Sequence, residues 1–169
     1  MIHIAIVEDE AFYVQQIQNY MERYQQESQR EISVTVYSDG EDILDNYKGD
    51  YDIILMDIQM RFMDGMTAAK NIRKLDDAVV IMFITNMTQY AVQGYEVDAL
   101  DYIIKPVEYF AFSQKLEKAV GRIRRRKRFY VTIPVEDGIQ KLDVSSIYYI
   151  EARGHQAVYK TDSGAYTAR

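Results

Sequence analysis

The sequence predicts an α/β protein: a doubly wound, five-stranded parallel sheet with helices on both faces, followed by a smaller all-β module. Three observations carry this. Five short Val- and Ile-rich runs in the first 105 residues are mostly continuous in their apolar character, as strands buried on both faces are. Stretches with apolar residues at spacings of three and four lie between them, and that alternation is the pattern of a parallel sheet with crossover helices. After residue 121 the texture changes to β-branched and aromatic runs broken by Gly-containing turns, the mark of antiparallel hairpins.

In chain order, strands are expected at 3–7, 32–37, 52–56, 79–84 and 100–104. A first helix carries Phe12, Gln16, Tyr20 and Tyr24, with Ile17 and Met21 beside them. Ser38-Asp39-Gly40 turns the chain into a second helix with Ile43, Leu44 and Tyr47 on one face. A third, over 65–75, carries Met66, Ala69, Ile72 and Leu75. A fourth, over 86–95, carries Tyr90, Ala91 and Tyr95. A fifth, over 107–124, carries Val107, Phe110, Leu116, Ala119, Val120 and Ile123. Strands follow at 129–135, 139–144, 147–152 and 157–161, with turns at Glu136-Asp137-Gly138 and Asp162-Ser163-Gly164. The domain reading is therefore 1–120 for the α/β domain, 121–128 for a basic linker or helix end, and 129–169 for the β module.

Composition narrows the function. The chain has 169 residues, enough for one domain and a piece of another. With no cysteine, disulfide scaffolds, thiol catalysis, Cys-based zinc sites and iron–sulfur clusters are excluded, and two histidines leave little for a His-rich metal centre. No apolar run has the length of a membrane span, and the N-terminus lacks a secretory pattern, so a cytoplasmic protein without membrane contact is expected. Charge is uneven. Residues 1–120 hold 10 basic and 21 acidic side chains, and residues 121–169 hold 10 and 5, which suggests two modules with different partners.

In open α/β sheets, ligands bind beyond the carboxyl ends of the strands. There the first run is followed by Glu8 and Asp9, the third by Asp57, the fourth by Thr85 and the fifth by Lys105-Pro106. Each residue alone has an ordinary role open to it, as a helix cap or a solvated charge. Together they place three carboxylates, a hydroxyl and an ammonium at one edge. Converging carboxylates need a cation or a proton. Oxygen ligands suit Mg²⁺, which takes one or two carboxylates and phosphate oxygens. Carboxylate, metal, lysine and hydroxyl together are the equipment for phosphoryl transfer to an aspartate.

The phrases Ile6-Val7-Glu8-Asp9-Glu10, Leu55-Met56-Asp57-Ile58-Gln59-Met60, Asp64-Gly65, Thr85 and Asp101-Tyr102-Ile103-Ile104-Lys105-Pro106 resemble a response-regulator receiver domain over residues 1–120. The resemblance implies a flavodoxin-like fold with strand order 2-1-3-4-5 and phosphorylation of Asp57 by a histidine kinase. It implies Mg²⁺ held by Asp9, Asp57 and the backbone carbonyl of Gln59, with Glu8 acting through water. It also implies Thr85 and Tyr102 as a switch pair, Lys105 as the phosphate-pairing lysine, and a cis Lys105–Pro106 peptide. Arg61 departs from the family, standing where many members have proline, and Asn86 replaces a frequent small residue. Gln59 and Met87 would flank the phosphoryl pocket.

The second module resembles the start of a LytTR-type DNA-binding domain, on the basic linker, the β texture, the phrase 147–155, Tyr159 and the turn at 162–164. That resemblance implies DNA contacts from His155 and Arg153, and it implies a domain cut short, with exposed strand edges that favour self-pairing. The whole then reads as a transcription regulator rather than an enzyme: phosphorylation would reshape a face bearing Tyr90, Tyr95 and Tyr102, drive homodimerisation and bring two DNA-binding modules to promoter DNA. A receiver-like interaction module that is never phosphorylated is the alternative. A flavodoxin-type nucleotide carrier lacks its phosphate loop here, because Val7-Glu-Asp-Glu10 repels phosphate unless metal intervenes. A dehalogenase-type phosphatase lacks its second aspartate, where Gln59 stands.

Overall fold

A computed structural model describes residues 1–87, 89, 93–126, 130–136, 138–154 and 156–168, without the side chains of 93, 95, 124–126 and 145. The chain forms two compact units, residues 1–123 and 124–169.

In the first unit, strands β1 (Ile2–Val7), β2 (Ile32–Tyr37), β3 (Ile53–Met56), β4 (Val80–Thr85) and β5 (Asp101–Ile104) form one parallel sheet in the order β2-β1-β3-β4-β5. Helices α1 (Ala11–Ser28), α2 (Gly40–Asp45), α3 (Gly65–Leu75) and α4 (Tyr109–Arg126) connect and follow the strands. The flavodoxin-like topology expected from the sequence is the one observed. The period of two in a strand decides which core each residue feeds. Ile4, Ile6, Ile53, Leu55, Val80, Met82 and Ile84 point to the α1/α4 side with Ile17, Met21, Phe112 and Leu116. Ala5, Val7, Ile54, Met56, Ile81 and Phe83 point to the α2/α3 side with Ile43, Met66 and Ile72.

Three helix residues assigned to buried stripes are instead exposed: Phe12 (70%), Leu75 (68%) and Phe110 (75%). Each stands at or next to a helix end, where an apolar residue can keep the helical spacing and still overshoot the sheet. The packed stripe of α1 is Ile17, Met21 and Tyr24, and that of α4 is Phe112, Leu116, Ala119, Val120 and Ile123. Of the helix expected over 86–95, residues 88 and 90–92, Tyr90 among them, lie outside the described residues, as does the Tyr95 side chain; residues 86 and 87 are not helical, and Gln93–Val97 form a 3-10 helix instead of an α-helix. No helix among the described residues is long and apolar enough to cross a membrane.

In the second unit, β6 (Tyr130–Val135) and β7 (Gly138–Asp143) form a hairpin. Strands β8 (Ile147–Arg153), β9 (Gln156–Thr161) and β10 (Gly164–Ala168) form an antiparallel sheet with β8 and β10 at its edges. The turn residues Gly138 (φ 133°) and Gly164 (φ 140°) hold a backbone that only glycine adopts readily. A bulge in β8 lets pairing with β9 skip Tyr148.

Candidate functional site

The register of the parallel sheet brings the ends of β1, β3, β4 and β5 to one edge. The Asp57 N–H donates to the Val7 carbonyl (2.9 Å) and the Lys105 N–H to the Thr85 carbonyl (3.1 Å), so the residue after each strand continues the ladder before the chain leaves it. Carboxylate oxygens of Glu8, Asp9 and Asp57 lie within 4.8 Å of one another. Glu8 and Asp57 are buried and Asp9 is exposed.

Lys105 enters this cluster from β5. Its Nζ is 2.7 Å from Asp57 Oδ2 and 2.8 Å from Glu8 Oε2, with Glu10 Oε1 at 3.7 Å. The ring of Tyr13, on the first turn of α1, faces the same ammonium, 3.8 Å from ring centroid to Nζ. The Lys105 side chain is thereby closed off from solvent. Burial alone would lower its pKa, but its contacts with Asp57 and Glu8 outweigh that and raise it, so the charge is retained. Glu8 shows the opposite balance. Burial, reinforced by Asp57 and only partly offset by Lys105, pushes its carboxyl up to about 7. Glu8 Oε2 meets its cation in the interior, paired with the Lys105 ammonium. Asp57 Oδ1 accepts the N–H groups of Ile58 (2.6 Å) and Gln59 (3.2 Å), which fixes the carboxylate plane.

A cleft of about 310 Å³ opens onto Asp57, lined by Asp9, Glu10, Gln59, Met60, Arg61 and Asn86. Thr85 is fully buried at the end of β4, its hydroxyl accepting the Met87 N–H at 3.2 Å. Tyr102 turns inward: its ring packs on Phe83 with centroids 5.0 Å apart, and burial pushes its hydroxyl up to about 12. Gly94 makes room for it, since a Cβ there would lie 2.5 Å from the Tyr102 ring. The Lys105–Pro106 peptide is cis. Arg153, at the end of β8, is exposed and pairs with Glu151 at 3.1 Å. His155 lies outside the described residues.

Two contributors escaped the sequence reading. Asp39, just before the second helix, is buried and accepts N–H groups from Glu41 (3.1 Å), Phe62 (2.9 Å) and Met63 (2.9 Å), capping α2 and tying down the loop after β3. Burial works against its charge, yet these backbone donors hold its carboxyl below the ordinary aspartate value. Tyr13 was unremarkable in a helix rich in tyrosine. Only tertiary approach reveals either one. Asp64-Gly65 was legible as a motif, and its reason is steric: a Cβ on residue 65 would lie 2.0 Å from the Asp57 carbonyl oxygen.

An acidic triplet with a buried lysine at the carboxyl edge of a 2-1-3-4-5 sheet defines a class, and sequence comparison agrees: residues 4–117 match the response regulator receiver domain, and the chain belongs to that family. The similarity continues past the receiver. The sensory transduction protein LytT of Bacillus anthracis is 27% identical over 177 positions, covering 95% of this chain and 70% of LytT. The transcriptional regulatory protein YpdB of Escherichia coli (strain K12) is 32% identical over 162 positions, covering 88% of this chain and 65% of YpdB. These relatives are LytTR-type response regulators, in keeping with the resemblance of residues 129–169, and the chain spans about two thirds of their length. Among solved structures, the response regulator TrrA of Thermotoga maritima in complex with Mg²⁺–BeF superposes with a TM-score of 0.57 at 25% identity, over 70% of this chain and 99% of TrrA.

Proposed function

We propose that this chain is a cytoplasmic two-component response regulator that accepts a phosphoryl group on Asp57 from a histidine kinase. One observation carries the reading: Lys105 is buried between Asp57 and Glu8 at 2.7 and 2.8 Å, behind an open cleft that Asp57 and Asp9 line. The donor set is all oxygen, three carboxylates within 4.8 Å of one another, which fits a hard divalent cation. Asp9, Asp57 and the Gln59 carbonyl would hold Mg²⁺, with Glu8 acting through water. When bound, Mg²⁺ supplies positive charge for the phosphoryl oxygens.

An Asp57 carboxylate oxygen attacks phosphorus. The P–N bond of the kinase phosphohistidine breaks, its electron pair stays on the imidazole nitrogen, and an acyl phosphate forms on Asp57. Lys105 redirects an N–H from Asp57 Oδ2 to a phosphoryl oxygen, so positive charge is already in place where negative charge arrives. The Thr85 hydroxyl and the Tyr102 ring then report the new group to the outer surface of β5 and α4, shifting populations toward a homodimer. Dimerisation brings paired second units to promoter DNA, with Arg153 and His155 as contacts. The protein is a regulator and not an enzyme; its only chemistry is making and hydrolysing its own acyl phosphate.

The test is intact mass after incubation with acetyl phosphate and Mg²⁺. Wild type gains one phosphoryl group, loses that ability with a chelator, and D57N gains none. An unmodified wild type would instead favour a phosphorylation-independent interaction module.

A further inference from the structure

The cleft over Asp57 poses an electrostatic difficulty. Asp9, Glu10 and Asp57 line it, yet its proposed substrate carries at least two negative charges. Lys105 cannot attract that substrate from outside, because its side chain is closed off and already faces two carboxylates. Among the described residues lining the cleft, Arg61 is the one cation.

Arg61 also lines a neighbouring cleft of about 530 Å³ with Asp9, Ser38, Asp39, Glu41, Asp42 and Phe62, so it and Asp9 form the wall shared by the two. It is exposed and, among the described residues, forms no ion pair despite the carboxylates around both clefts. Its guanidinium lies instead over the Phe62 ring, 5.2 Å from the centroid, a stacking that leaves the edges of the fork available for hydrogen bonds. The backbone behind it is pinned, because the next two residues donate their N–H groups to buried Asp39.

We infer that Arg61 is the anion-capturing residue of this site: it draws the phosphoryl donor into a cleft whose other charged lining side chains are carboxylates, and hydrogen-bonds a phosphate oxygen at the mouth while Asp57 attacks. The inference rests on the receiver reading and deepens it. A steering charge acts on encounter, grows with the negative charge of the donor and fades in salt. It also makes an opposite demand on metal binding, because a fixed cation beside the acidic triplet opposes Mg²⁺.

The experiment uses the 169-residue chain, its R61Q and R61K variants, and acetyl phosphate as donor. In this reaction the acetyl O–P bond breaks, acetate leaves with the electron pair, and the Asp57 O–P bond forms. R61Q should lower the second-order rate of adduct formation by about 2–5-fold at low ionic strength. The difference should shrink toward unity near 1 M salt, where the screening length is about 3 Å. R61K should keep most of the rate. Phosphoramidate, which carries an ammonium and so less net negative charge, should be less affected. Calorimetric titration should show Mg²⁺ binding R61Q more tightly than wild type. Equal rates for R61Q and wild type at low salt overturn this inference while leaving the receiver reading intact. So does weaker Mg²⁺ binding by R61Q, the mark of a disturbed loop. No adduct on wild type overturns both.

Discussion

Lys105 neutralises charges that would otherwise force the strand ends apart. Removing one partner of a buried ion pair leaves an uncompensated charge and costs about 3–5 kcal/mol. Lys105→Ala should therefore destabilise the metal-free protein by about that amount above pH 7, measured by urea unfolding. The penalty should be smaller in mild acid, because Glu8, already pushed up to about 7, takes up a proton there and relieves the repulsion. An equal penalty at both pH values would show that Glu8 is not the group at issue. Asp39 gives the opposite pH dependence. Its folded pKa lies below the ordinary 3.8, so its contribution is complete above that value and is lost as pH falls through the folded one. Asp39→Ala should cost about 1–3 kcal/mol near neutral pH, from a lost cap and two lost loop anchors. The gap from wild type should narrow as pH falls below about 3.8.

At the level of elements, the strands were legible because a parallel sheet covered on both faces needs apolar side chains at consecutive positions, and a short, β-branched run such as Ile53–Met56 suits little else. The site was legible for the same reason, since a polar residue ending such a run must lie at the sheet edge. Helix ends were less so. Spacing alone gives Phe110 and Leu116 equal claims on the core, but one is 75% exposed and the other is 0%. Leu116→Ala should cost about 2–5 kcal/mol and Phe110→Ala less than about 0.5 kcal/mol, a contrast that chemical denaturation can resolve. Asp39 and Tyr13 stayed hidden because their partners, at residues 62–63 and 105, are distant in sequence.

Across the whole molecule, the acidic first unit and the basic segment with its β module differ in surface as well as charge. The second unit leaves Tyr148 (73%), Tyr149 (57%) and Ile150 (57%) exposed on β8, an edge strand of its sheet among the described residues. Chains of 1–169 should therefore associate with rising concentration, while 1–123 should elute as a monomer; coincident monomer elution would reject association through β8. The two-sided sheet of the first unit has a genetic consequence. Ile54 and Leu55 are covalent neighbours, yet one serves the α2/α3 core and the other the α1/α4 core, where Leu116 also lies. Leu55 and Leu116 should show epistasis, each substitution altering the effect of the other, whereas Ile54 and Leu116 should combine additively. Adjacency along the polypeptide is then a poor guide to which mutations tolerate one another; the face of the sheet they share is the better one.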